Sequence, residues 1–206
     1  FNELNKVLEN TEAFSVVSEV NALRKSWGDL ADVNLTLTAD ESVNLHNQVL
    51  QETIAVIKLV ADKSTLSLDA YLDSYYMVIA VTDQLPNLAN YLGIARAQGT
   101  KVLTVQSLDE KTKLALFEKG SIISNLVVGL EQGSVQIFDN NRDAKNTLES
   151  TYSETLSAVK TTTDLMNNQL VQSSTLDYGP VKYFEETTAT IDKVYKLNSA
   201  VMTTLT

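Results

Sequence analysis

Residues that break a helix are scarce in this chain: two prolines and seven glycines across 206 residues. The stretches between them repeat their apolar positions every three or four residues, which is the helical period. Near the start, Val16, Val20, Leu23, Trp27 and Leu30 keep this rhythm. Near the end, Phe184, Thr187, Ile191, Val194, Asn198, Val201 and Leu205 keep it too. A chain patterned this way buries its apolar stripes by packing helix on helix at shallow angles. The expected fold is therefore all-α, an elongated antiparallel helical bundle of the four-helix type, built as one bundle or as two stacked modules.

Local signals divide the chain into about six helices, over 1–35, 38–61, 68–106, 108–138, 142–172 and 180–206. Thr38 stands three residues before Glu41, the spacing of a capping box. Ser67 or Asp69 serves as a cap for the third helix and Ser107 for the fourth, where Asp109 and Glu110 sit in a favourable first turn. Asn140 and Asn141 mark a break, since asparagine tolerates the left-handed conformation. Gly179-Pro180 marks another, with Pro180 suited to the first turn of the last helix. Thr155, Thr162 and Asn198 fall near apolar stripe positions, either at the edge of the stripe or as polar residues that pin its register.

Pro86 interrupts the third helix. A helix-interior proline lacks the amide donor and clashes with the carbonyl four residues earlier, at a cost of about 3 kcal/mol. The stripe Leu72, Tyr75, Ile79 resumes at Leu85, Leu88, Leu92 after a six-residue step. A Pro86 kink accounts for that slip, and a bent helix is preferred to one broken near Gln84. Carbonyls freed near Thr82 and Asp83 are then open to a ligand or a water.

Composition removes whole classes of function. The formal net charge is -10, with no cysteine and one histidine. So acidic a chain suits neither nucleic acid nor an anionic lipid surface. Without cysteine there are no disulfides, no thiolate metal sites and no cysteine nucleophile. His46, in the polar stretch NLHNQ, is expected on an exposed helix surface, so no histidine triad or zinc site is expected. Asp69 and Asp73 share a helix face, with capping the expected role of Asp69. GLEQGSVQ has two glycines but no Lys-Ser/Thr, so it is not a phosphate loop. Asn34-Leu-Thr matches a glycosylation acceptor only at chance level. We expect no enzyme, no metal and no cofactor. No stretch approaches the roughly 20 apolar residues of a membrane span. A start at Phe1 and an end within AVMTTLT fit a fragment of a larger protein, inserted between two membrane spans.

Anion recognition remains open. Arginine grips a carboxylate bidentately, and this chain has three: Arg24, Arg96 and Arg142. Arg96 directly follows Ala95 in the most regular stripe and so flanks the apolar seam. With Tyr75, Tyr76 and Tyr91 on the same helix it can line a small pocket between helices. Asp73, Tyr75, Tyr76 and Arg96 are the candidate ligand-binding residues.

The stretch from Ser64 to Leu103 resembles a pattern in the extracytoplasmic sensor domains of bacterial methyl-accepting chemotaxis receptors and sensor histidine kinases. The pattern is carried by Leu68-Asp69, by Asp73 to Tyr76, by Leu85 to Leu88, and by Leu92 to Gly99. Tyr183 to Leu197 is similar to the last helix before that family's second membrane span. Ala70 stands where the pattern has proline, and NALRKSWGD replaces a His-Arg pair. The resemblance implies a periplasmic, all-helical sensor of an inner-membrane receptor, anchored only by flanking transmembrane helices outside this fragment. It implies a cytoplasmic signalling region beyond the second span; our reading from this is a homodimer that detects a small carboxylate or amino acid, or a periplasmic binding protein, and passes on a helix shift. A secreted structural protein, such as a flagellin-like filament subunit, fits the Ser, Thr, Asn and Gln content as well.

Overall fold

The computed structural model describes residues 16–68 and 70–205. Their regular structure is helical throughout, and no strand occurs among them. The chain separates into two compact units, Phe1–Ala70 and Tyr71–Thr206.

The first unit holds α1 (Val17–Val33) and α2 (Ala39–Lys63), joined through a 3-10 turn at Asn34–Thr36. Leu23 and Leu30 of α1 meet Val49 of α2, with Leu37 and Val56 against them. Trp27 departs from the stripe that its spacing predicts; it is 48% exposed. Thr38 caps α2 as its spacing predicts. Its hydroxyl accepts from the Glu41 amide at 3.3 Å, and its own amide donates to Glu41 Oε2 at 2.9 Å. The end of α2 turns through Thr65, whose φ of 59° is left-handed, into a second 3-10 turn at Leu66–Leu68. The next helix opens at Leu72 with Tyr71, not Ser67, in the N-cap position, and Asp69 lies outside the described residues.

The second unit is a four-helix bundle. Its first rod comprises α3 (Leu72–Ile79) and α4 (Leu85–Val105), joined through a π turn at Ala80–Gln84. The others are α5 (Glu110–Asn140), α6 (Arg142–Met166) continued by a π turn at Asn167–Val171, and α7 (Pro180–Leu205). Each rod packs on two others, in the cyclic order α3/α4, α5, α6, α7. Short connections make consecutive rods antiparallel. Leu85, Leu88, Leu116, Ile137, Leu148, Val159, Val194 and Leu197 lie in the shared core.

The π turn resolves the conflict at Pro86. Leu85 donates its amide to Ala80 O, five residues back, so the wide turn absorbs one extra residue. Ile79, Ala80, Gln84 and Leu85 all keep right-handed helical dihedrals, so the rod does not break near Gln84. Pro86 then lies in the first turn of α4, where a missing amide costs little. The carbonyl of Asp83 is not left open, because Asn87 Nδ2 donates to it at 2.8 Å. The buried face also differs from the expected stripe: Leu72 and Tyr75 are exposed, while Met77, Val78 and Ala80 are buried. Counted through Met77, Val81, Leu85, Leu88, Leu92, Ala95, Gly99 and Val102, the seam has no six-residue gap. It takes steps of four, four and three, and the π turn accommodates the second four.

Boundaries elsewhere follow side-chain caps. Asp109, not Ser107, opens α5 by accepting from the Thr112 amide at 2.7 Å. Asn141 alone separates α5 from α6. Its backbone is extended, at φ -142° and ψ 102°, rather than left-handed, and its side chain caps α6 by accepting from the Ala144 amide at 2.8 Å. Pro180 begins α7 as expected. Thr155 and Thr162 are core residues, 1% and 6% exposed. Thr155 donates to Lys193 O, and the Thr162 and Thr190 hydroxyls lie 2.7 Å apart.

Mid-helix glycines admit side chains from neighbouring rods. A Cβ at Gly129 would fall 2.6 Å from Gln84 Nε2, and one at Gly133 would touch the Tyr76 ring. The two glycines of GLEQGSVQ are therefore packing notches in α5, consistent with the reading that they form no phosphate loop.

Candidate functional site

The α4–α7 face carries Arg96. It occupies the outer edge of the seam because it follows Ala95, which is buried at 3% exposure. Its guanidinium crosses to α7, where Nη1 donates to Thr188 Oγ1 at 2.8 Å. The guanidinium carbon lies 4.6 Å from the centre of the Phe184 ring, a cation–π distance. Thr188 is oriented from below, since its hydroxyl donates to Phe184 O at 2.7 Å. Arg96 Nε is buried and makes no hydrogen bond. Among the described residues no carboxylate pairs with this guanidinium. One turn further along the same face of α4, Thr100 Oγ1 is likewise buried and unbonded. The site thus presents a half-buried cation on an aromatic face with unmade donors beside it, an arrangement suited to a small anion.

The other candidates lie elsewhere. Asp73, in the first turn of α3, accepts from Asn141 Nδ2 at 2.8 Å, which ties the start of the first rod to the α5–α6 corner. Tyr75 and Tyr76 form an edge-to-face pair with centroids 5.4 Å apart, and Tyr76 covers Gly133. Twenty residues separate Tyr76 from Arg96, about 30 Å along a helix. One small pocket does not span that distance, so the structure does not bring the four candidates together. Sequence reasoning does not reach Phe184 and Thr188 as partners of Arg96. Period alone puts Phe184 in the core stripe, but adjacent Tyr183 takes the core position while Phe184 is 43% exposed. The four-residue spacing of Phe184 and Thr188 on one face was the available signal.

His46 is half-buried, with Nδ1 2.7 Å from Ser42 O. Among the described residues no group of three His, Cys, Asp or Glu is placed to hold a metal ion. No described helix is long and apolar enough to cross a membrane. Comparison with protein-family models, curated proteins and solved structures returns no match.

Proposed function

We propose that this chain is the extracytoplasmic ligand-sensing part of a bacterial transmembrane chemoreceptor or sensor kinase, and that the α4–α7 face around Arg96 receives a small carboxylate. The observation that carries the reading is the unneutralised guanidinium of Arg96, held between Phe184 and Thr188 with its Nε unbonded. The resemblance of Ser64 to Leu103 to chemoreceptor sensor domains supports the receptor class. A carboxylate at Arg96 would contact α4 and α7 together and favour one relative placement of the two rods. A ligand shifts a helix only to the extent that it binds one arrangement better than the other. Here the shifted element is α7, and in a homodimeric receptor it would carry the signal towards the membrane and a cytoplasmic output.

The test is a thermal-shift screen of the chain with small carboxylates and amino acids. A binder raises the melting temperature by mass action. Arg96→Ala is expected to remove the shift while the unliganded chain still melts cooperatively. A carboxylate whose shift survives Arg96→Ala excludes this face, and the absence of any shift excludes direct carboxylate sensing.

A further inference from the structure

A second concave site lies between α5 and α6, on a different pair of helices from Arg96. It is a cleft of about 450 Å³, within the range of small-ligand sites. Its floor is the partly exposed ring of Phe138, which rests edge to face on Tyr152 with centroids 5.7 Å apart and planes at 89°; Tyr152 and Leu156 are themselves buried beneath it. Its charged groups are already matched. Lys160 Nζ and Glu131 Oε1 are 2.5 Å apart across the two helices, and Glu149 has Lys145 at 3.7 Å.

Two hydroxyls in the cleft make no hydrogen bond to another described residue. Thr147, Thr161 and Thr163 each turn back to donate to the carbonyl four residues earlier. Ser153 and Ser157 line the cleft, are exposed, and make no such bond. Spaced four apart, they share one face of α6. Their hydroxyls, each donor and acceptor, remain available to a ligand.

This chemistry discriminates by charge. With Glu131 and Lys160 already paired, the cleft offers no free counter-charge, so a charged ligand must compete with the pair or keep its charge in water. A neutral ligand need do neither, because a paired carboxylate keeps lone pairs for hydroxyl donors. We infer that the α5–α6 cleft binds a neutral polyhydroxylated molecule of mono- or disaccharide size. The C–H face of the ligand lies on the partly exposed Phe138 ring, and its hydroxyls bond Ser153, Ser157 and the Glu131–Lys160 pair.

The experiment is an NMR titration of the full 206-residue chain with glucose and maltose, beside glucuronate and glucosamine as charged analogues. Backbone shifts from the neutral sugars are expected to cluster over 131–138 and 149–160 and to saturate. Replacing Ser153 and Ser157 together by alanine is expected to weaken binding about tenfold, as loss of two neutral hydrogen bonds implies, with an unchanged melting temperature. Ser157→Ala alone gives the same direction and guards against misfolding of the double variant. The inference is overturned if neutral sugars leave these segments unshifted, if only a charged analogue binds, or if the serine variants bind as tightly as the parent. A result at Arg96 does not bear on it, since the two sites share no residue.

Discussion

Tyr183 of α7 occupies the space that a side chain at Gly99 of α4 would need. A Cβ at Gly99 would fall 2.5 Å from Tyr183 Cε1. Tyr183 is fully buried and donates its hydroxyl to Ala95 O at 3.2 Å, and burial raises its phenol pKa well above the ordinary value. In an ordinary helix interior, Gly→Ala stabilises by about 1 kcal/mol. Gly99→Ala is expected to reverse that sign and destabilise by about 1–3 kcal/mol through overpacking. Gly93, on the same helix, has nothing within 4 Å of a Cβ, so Gly93→Ala should show the ordinary gain. Urea denaturation of both variants checks the contrast, and a stabilised Gly99→Ala would mean that Tyr183 is not held there.

Pro86 provides a second test. If it sat unrelieved in a helix interior, replacement by alanine would recover about 3 kcal/mol. With the π turn at Ala80–Gln84 already absorbing the conflict, Pro86→Ala is expected to change stability by less than about 1 kcal/mol, since proline is tolerated in a first helical turn. A gain near the larger value, read from the urea midpoint at constant slope, would contradict the π turn.

The Thr162–Thr190 pair tests how polar core residues are tolerated. Thr190 donates to Glu186 O, so Thr162 is the donor between the two hydroxyls. Thr190→Val strips Thr162 of its buried acceptor and is expected to cost about 1–2 kcal/mol, whereas Thr162→Val together with Thr190→Val should be near neutral. A double-mutant cycle on unfolding free energies measures this coupling. Additive single effects would show that the hydroxyls do not interact.

Acid should weaken the helix starts. The backbone amide of Thr112 holds the Asp109 carboxyl below its ordinary range. The Thr38 hydroxyl, then its backbone amide, does the same for Glu41. A carboxyl with a depressed folded pKa contributes stability that is present above its unfolded pKa and lost as pH falls through the folded one. The melting temperature is therefore expected to fall on acidification below the ordinary carboxylate range. Asp109→Asn keeps a cap acceptor without a titrating proton, and its melting temperature should fall less over that window. Parallel curves for variant and parent would remove Asp109 from the effect.

Helix positions were legible where the information is local. The Thr38–Glu41 box and Pro180 at the head of α7 depend on neighbours within one turn, and both appear as expected. Capping by Asp109 rather than Ser107 was a choice between two competent residues two positions apart, and propensity does not separate them. Period counting also blurred adjacent residues. Phe184 and Tyr183 are one position apart, yet Tyr183 enters the core and Phe184 lies beneath Arg96. Arg96 itself was singled out from its place beside Ala95. Its contacts were not legible, because Phe184 and Thr188 lie about ninety positions away and only packing selects them.

By itself, then, the sequence determined that the described residues are helical, where most of their rods begin and end, and that the chain carries no thiol and no Lys-Ser/Thr phosphate loop. Those properties follow from periodicity, capping and composition, which act over a few residues or none. Tertiary structure alone decided that Gly99, Gly129 and Gly133 are notches for Tyr183, Gln84 and Tyr76. It alone decided that the seam passes Pro86 through a π turn, and that Arg96 is separated from Tyr75 and Tyr76. The reason is physical: a helix presents a continuous ring of positions, and only contact with a neighbouring rod fixes which of them face the core.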